Sequence, residues 1–286
     1  MTFVRRRIDA VITLGVGKFG ETKGGTLRLT GLRMSCHMQS YGRDAMGQLQ
    51  MKIFGLPLSV MNQLTTIGPI ATQIRGQNRL LVAAGDEGDA LATFFDGTID
   101  TAWSEMSAAP DAVFNITGFA GLTDALKPVP VSSFKGSVDA STIMAGFAKD
   151  MGLTFENNGV TVQLSNPYFP GTKLEQVRLC AKAGRFNYSI DCGALAIWGQ
   201  SGARKVPVPL VSPQTGMIGY PTFTGSGLLL TTIFTPTAKQ GGKVKVQSDL
   251  TPACGEWNIF NVSHDVESET PGGQWFTRIE CGKVPE

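Results

Sequence analysis

Trp257-Asn-Ile-Phe-Asn-Val-Ser-His-Asp-Val266, the turn Glu269-Thr-Pro-Gly-Gly273 and Trp275-Phe-Thr-Arg-Ile-Glu-Cys281 form the passage on which the fold class turns. Phe260, Val262, His264 and Val266 share one parity, the period-two pattern of a strand with one buried face. Pro271, Gly272 and Gly273 supply the dihedrals that a reversal needs, so the two runs read as strands joined by a turn. Upstream, Leu228 to Phe234 and Lys243 to Gln247 are further strand candidates. The C-terminal part of the chain is therefore expected to be β structure.

Toward the N-terminus, Pro207, Pro209 and Pro213 with nearby glycines make a linker-like stretch. Before it, Phe186, Tyr188 and Ile190 alternate up to Asp191-Cys192-Gly193, and Ala194 to Trp198 returns, which reads as a hairpin. Two helices precede the hairpin. Asp139 caps the first, whose Ile143, Met144, Phe147, Ala148 and Met151 lie on one stripe and which stops at Gly152. Thr172 and Glu175 have the capping-box spacing for the second, in which Leu174, Val177 and Ala181 face the core and Gly184 ends the helix.

Lys127-Pro128-Val129-Pro130 holds the backbone extended and marks a boundary near residue 130. Ahead of it, Ile8, Ala10, Ile12, Leu14 and Val16 alternate. Leu27 and Leu29 keep odd positions, whereas Leu32, Met34, Cys36 and Met38 keep even ones, so the phase slips at Gly31 and predicts a β-bulge. Leu49, Met51 and Ile53 alternate again, Leu58 to Thr66 reads as a short helix or turn after Pro57, and Leu80 to Ala84, Leu91 to Phe95 and Val113 to Gly118 are strand candidates. Short strands closed by glycine turns suggest a small barrel. The chain is thus expected to be mainly β with a small α+β insert: residues 1–130 an N-terminal β-barrel-like domain, 131–203 an α+β domain, and 204–286 a C-terminal β-barrel-like domain. No literal repeat is visible, but the two β-rich ends read as divergent copies.

Composition limits what such a chain does. Across 286 residues, 25 Lys plus Arg face 23 Asp plus Glu, and a net charge of +2 offers no excess with which to coat a polyanion. No apolar run nears the roughly 20 residues of a membrane-spanning helix, so no membrane insertion is expected. Cys36, Cys180, Cys192, Cys254 and Cys281 are odd in number and lack C-x-x-C spacing; they read as reduced, mostly buried thiols. Arg5-Arg6-Arg7 before Ala10 to Val16 superficially copies a secretory signal, but Asp9 interrupts it and no A-x-A-like site follows. The sequons at Asn115, Asn187 and Asn261 mean little without export.

The candidate motifs reduce to structure. Gly15-Val-Gly17-Lys-Phe-Gly20 has the spacing of a dinucleotide-binding turn, but it leads into the strand Thr26 to Leu29 and not into a helix, so it reads as a β-turn. His264 reads as a satisfied strand histidine, and His37 as structural because adjacency to Cys36 points the two side chains to opposite faces. Gly199-Gln-Ser201-Gly202-Ala203 misses the final glycine of a nucleophile elbow. Asp96 with Asp100, and Glu267 with Glu269, read as solvated loop acids. Arg5, Arg6 and Arg7 read as a solvated strand edge, with contact to a partner or to passing DNA phosphates as the alternative. Trp257 and Trp275 fit core packing or interface anchoring. No residue is assigned a catalytic, cofactor-binding or metal-binding role, and no cofactor is expected.

Gly216-Met-Ile-Gly-Tyr-Pro221, Leu228 to Pro236, Gly241-Gly-Lys-Val-Lys-Val-Gln-Ser248, Gly255-Glu-Trp257, and Val262-Ser-His264 through Gly273-Gln-Trp275-Phe-Thr-Arg278 follow a recognisable order. This order resembles the C-terminal half of phage tail baseplate hub proteins, particularly those of Mu-like contractile tails. The resemblance runs from about residue 130 onward; before that, strand order and size agree. It implies two related β-barrels separated by a small α+β domain, assembled as a homotrimer whose six barrels form a pseudo-sixfold ring. Such a hub joins a sixfold tail tube to a threefold central spike. Its implied partners are the tail spike protein, tail tube or distal tail proteins and baseplate wedge proteins, with DNA only as passing cargo in the lumen. It turns over no substrate and belongs to the virion tail baseplate, with host cytoplasm as the place of assembly. The alternatives are a hub-like component of another contractile injection or type VI secretion system, a tail-associated cell-wall hydrolase working through Asp265, Glu267 or Glu269, and a carbohydrate-binding β module using Trp275.

Overall fold

The computed structural model describes residues 4–15, 25–41, 46–66, 77–107 and 112–283. The chain is mainly β, as the alternation requires. Its contacts divide it into two compact units, the first within Met1–Gln39, Gly47–Leu122 and Ser263–Phe276, the second within Ser40–Met46, Thr123–Val262 and Thr277–Glu286.

In the first unit, β1 (Arg6–Thr13), β2 (Thr26–Leu29), β3 (Met34–Ser40), β4 (Gln48–Phe54), β5 (Arg79–Asp86), β6 (Ala92–Glu105) and β7 (Val113–Phe119) lie in the order β3-β4-β7-β6-β5-β1-β2. Each neighbouring pair among them is antiparallel. The alternating apolar positions form the core: Ile8, Ala10 and Ile12, then Met34, Cys36 and Met38, then Leu49, Met51 and Ile53 are all buried. α1 (Leu58–Leu64) starts after Pro57 and buries Met61 and Leu64.

The phase slip at Gly31 is not a bulge. β2 pairs with β1 whereas β3 pairs with β4, so the parity changes because the chain leaves one partner for another. Gly31 takes φ +65 in that break, in the left-handed region open to glycine. Register shifts occur instead at Val82/Ala83 between β5 and β6 and at Ile99/Thr101 between β6 and β7. Gly97 in β6 is needed for close approach, since a Cβ there would stand 2.7 Å from the Phe95 ring and 2.6 Å from the Phe119 carbonyl oxygen.

The second unit begins with an α+β module: α2 (Leu122–Leu126), β8 (Ser132–Ser133), β9 (Ser137–Asp139), α3 (Ala140–Asp150), β10 (Thr154–Asn158), β11 (Gln163–Ser165), β12 (Tyr168–Phe169), α4 (Lys173–Gly184), β13 (Phe186–Asp191) and β14 (Ala194–Gly199). Asp139 caps α3 by accepting from the Ser141 amide, and the Thr172/Glu175 box closes reciprocally on α4. α4 ends on Arg185 in the left-handed region, one residue past the expected Gly184 stop. β10, β14 and β13 form a small sheet in that order, and Cys192 and Gly193, both at positive φ, make the two-residue turn between β13 and β14. The helices share a core with the sheet through Ile143, Phe147, Val177, Cys180, Leu195 and Ile197. Leu174, expected to face this core, is only half-buried.

β15 (Leu210–Val211), β16 (Thr222–Thr224), β17 (Gly227–Ile233), β18 (Lys243–Val246), β19 (Gly255–Ser268) and β20 (Trp275–Gly282) follow. In the second unit their order is β15-β18-β19-β20-β17-β16. The proline-rich stretch contributes to this sheet: β15 pairs parallel with β18, and Val211 is buried.

β19 departs from a single parity. Trp257 and Ile259 are buried on odd positions, whereas Val262, His264 and Val266 are buried on even ones, and Phe260 is left half-buried. Residues up to Val262 count with the second unit and residues from Ser263 with the first, so each part of the strand serves its own core.

Candidate functional site

His264, His37, Asp96, Glu267 and Glu269 each have a structural partner. His264 is 3% exposed, lies edge-on to Phe94 with ring centroids 5.9 Å apart, and is pushed down to about 4 by burial, against a smaller opposing pull from Asp265. It is neutral at pH 7. His37 Nδ1 lies 2.6 Å from Asp265 Oδ1, a pairing across 228 positions that no local pattern announces. Asp96 accepts two bonds from Arg79, at 2.9 and 2.6 Å, so it is an ion-paired strand residue and not a solvated loop acid. Asp100 is buried. Glu269 accepts from Arg5, and Glu267 Oε2 accepts from the Gln274 amide across the turn. Burial raises the thiols of Cys36, Cys180 and Cys281, the last two to about 12, so they stay protonated and unreactive. Among the described residues no three His, Cys, Asp or Glu side chains gather as a metal site. Of the Gly15 to Gly20 motif, residues 16–20 lie outside the described residues.

Each arginine of the basic cluster has a partner in place, a carboxylate for Arg5 and Arg7 and a ring for Arg6. Arg5 bonds Glu269, Arg6 lies 5.4 Å from the Trp275 ring centroid, and Arg7 clamps Asp9 with bonds of 2.8 and 2.7 Å. Trp257 and Trp275 are both buried, and Trp257 Nε1 donates to the Ala253 carbonyl at 2.9 Å, which places them in cores.

What the chain offers is surface held on rigid supports. Arg204 is fully buried and binds Asp191 through Nη1 at 2.9 Å and Nη2 at 3.1 Å, with Nη2 also 2.9 Å from Glu156. Beside it, Gln240 Oε1 accepts from Ser189 and Ser40. This cluster fastens the α+β module to the β strands that follow, and its charges are compensated where desolvation would otherwise penalise them. On the last sheet, β16 pairs only with β17 among the described strands, and Ile218, Tyr220, Phe223 and Ile233 are exposed along that edge. An open strand edge bearing apolar side chains is a surface for association.

The fold has known relatives. The tail protein from Neisseria meningitidis MC58 superposes with a TM-score of 0.61 at 10% identity, covering 96% of each chain. The 43 kDa tail protein of prophage MuSo2 from Shewanella oneidensis gives 0.61 at 12% identity, again over 96% of each. The E. coli c3393 protein, described as a type VI secretion system component structurally similar to T4 tail proteins gp27 and gp5, gives 0.57 at 10% identity over 89% of this chain and 74% of that one. No curated protein matches the chain. The model of the baseplate hub gp41 family matches residues 11–281, nearly the whole length, and the chain belongs to that family of baseplate hubs.

Proposed function

We propose that the protein is a non-enzymatic homotrimeric hub at the tip of a phage tail. In this reading it joins the sixfold tail tube to the threefold central spike and surrounds the channel through which DNA leaves at genome ejection. The observation that carries it is the family match over residues 11–281. The two β-rich groups of strands that flank the α+β segment support it, because three copies of a chain with parts 1–130, 131–203 and 204–286 would present six β domains around one axis. The exposed apolar edge at Tyr220 and Phe223 is the kind of surface that assembly covers. Mu-like contraction, contact with spike, tube and wedge proteins, and assembly in the host cytoplasm belong to the same proposal. The likeness to the E. coli c3393 protein favours, as a second reading, a hub in another contractile injection system.

Light scattering on the eluted particle, combined with class-averaged electron micrographs, tests the assembly. The expected result is a mass three times the 30.5 kDa chain and threefold averages, with a spike protein co-eluting when co-expressed. A stable monomer, a ring of another order, or cell-wall lysis abolished by Glu269→Ala would overturn the proposal.

A further inference from the structure

Glu156-Asn-Asn-Gly-Val160 carries β10 into the turn that follows it, and Asn158 is the one asparagine of the chain with glycine after it. Beside glycine, no side chain hinders attack of the following amide nitrogen on an asparagine carboxamide, the first step of deamidation. Both reacting groups are held in the fold. Asn157 Oδ1 accepts from the amides of Gly159 at 3.1 Å and Val160 at 2.8 Å, and Asn157 Nδ2 donates to the Val160 carbonyl at 3.0 Å, an Asx turn that engages the attacking nitrogen. Asn158 Oδ1 accepts from the Lys205 amide at 2.8 Å. Its Nδ2 donates to the carbonyls of Ile197 at 3.1 Å and Glu156 at 3.4 Å, which ties the carboxamide to β14 and to the segment that starts at Arg204. Asn157 and Gly159 are exposed, so water reaches the turn. All of these residues belong to the second unit.

We propose that Asn158 is a deamidation site whose rate is set by the Asn157 turn. When the turn opens, the Gly159 amide nitrogen attacks Asn158 Cγ. A bond forms from that nitrogen to Cγ, the Cγ–Nδ2 bond breaks, Nδ2 leaves as ammonia carrying the displaced amide proton, and a succinimide ring remains. Water then adds to the ring, giving aspartate when the new bond at Cγ opens and isoaspartate when the original peptide bond opens; nothing is oxidised or reduced. Ring closure needs the Gly159 nitrogen free of Asn157 and the carboxamide turned away from Lys205 and Ile197, so the intact turn reacts more slowly than the open one. The product changes the fold locally. Aspartate puts an oxygen where Nδ2 faced the Ile197 and Glu156 carbonyls, and isoaspartate adds a backbone carbon at the end of β10, where Asn158 stands in register with Trp198 of β14. Either product loosens the seat of Lys205 beside Arg204.

Warm, mildly alkaline incubation of the full chain, followed by peptide mass spectrometry and isoaspartate methyltransferase labelling, tests the proposal. The expected result is that aspartate and isoaspartate accumulate at position 158 before any other asparagine changes. Folded Asn157→Ala should form them about tenfold faster. Asn157→Asp, which keeps an oxygen for the Gly159 amide, should stay near the wild-type rate, and the wild-type chain held in denaturant should be fastest. Trypsin should cut after Lys205 several-fold faster in Asn158→Asp than in the wild type. Melting temperatures establish that each variant is folded, and the comparison with denaturant reads the protection without any variant. An unmodified Asn158 in the folded wild type, an unchanged rate in folded Asn157→Ala, a rate in denaturant no higher than in the fold, earlier modification of another asparagine, or unchanged trypsin cleavage in Asn158→Asp would each overturn the inference.

Discussion

A neutral, buried imidazole at His264 makes the stability of the whole chain depend on pH. In the unfolded chain the ring takes up a proton near its ordinary value of about 6.5, whereas in the fold burial holds it neutral down to about 4. Between those values the unfolded state binds more protons, so stability is intact above pH 6.5 and is lost progressively as the pH falls toward 4. The gap corresponds to about 3 kcal/mol. Denaturant unfolding at pH 7.5 and pH 4.5 should show that loss in the wild type and a smaller one in His264→Gln, which has no imidazole to protonate. An NMR titration should find the His264 ring unprotonated through pH 5.5; a midpoint near 6.5 would refute the argument. The arginines follow a related logic, since each of Arg5, Arg7, Arg79 and Arg204 stands on a named carboxylate that compensates its charge locally.

At the scale of elements, α4 rests on its first turn. Thr172 Oγ1 accepts from the Glu175 amide at 3.3 Å while Glu175 Oε2 accepts from the Thr172 amide at 2.8 Å, so two otherwise orphaned donors are satisfied. Thr172→Ala should lower stability by about 1 kcal/mol, read as a shifted denaturant midpoint with an unchanged slope, because both folded and unfolded states keep their compactness. An unchanged midpoint would show that packing of Val177 and Cys180 alone holds the helix end. This cap was legible in the sequence because it is local: the spacing from Thr172 to Glu175 contains the whole interaction. The Asp139 cap, the Cys192-Gly193 turn and the Leu49, Met51 and Ile53 alternation were legible for the same reason. The break in the parity of β19 was not, since it depends on which core each residue meets and not on its neighbours along the chain. Nor were Arg204 with Asp191 and Glu156, or His37 with Asp265, which join residues from separate stretches of chain.

At the scale of the molecule, the first unit is not a contiguous piece of sequence, because it takes Ser263–Phe276 from near the other end of the chain. Those residues hold it at several points. Ser268 Oγ donates to the Leu32 carbonyl at 2.9 Å, Asp265 meets His37, Glu269 meets Arg5, and Trp275 stacks beneath Arg6. The end of β19 lies beside β3, so without it β3 presents unpaired backbone groups and an aggregation-prone edge. Partners separated by 228 to 269 positions also make loop closure late and costly, which slows folding. A fragment of residues 1–130 is therefore expected to lack a cooperative thermal transition and to aggregate, whereas the full chain melts cooperatively. A well-dispersed NMR spectrum and a cooperative melt from that fragment would show that the N-terminal strands close their own core. The expected failure would mean that the N-terminal β unit is completed only after nearly the whole chain has been made, so partly synthesised chains would lack a finished first unit with which to begin assembly.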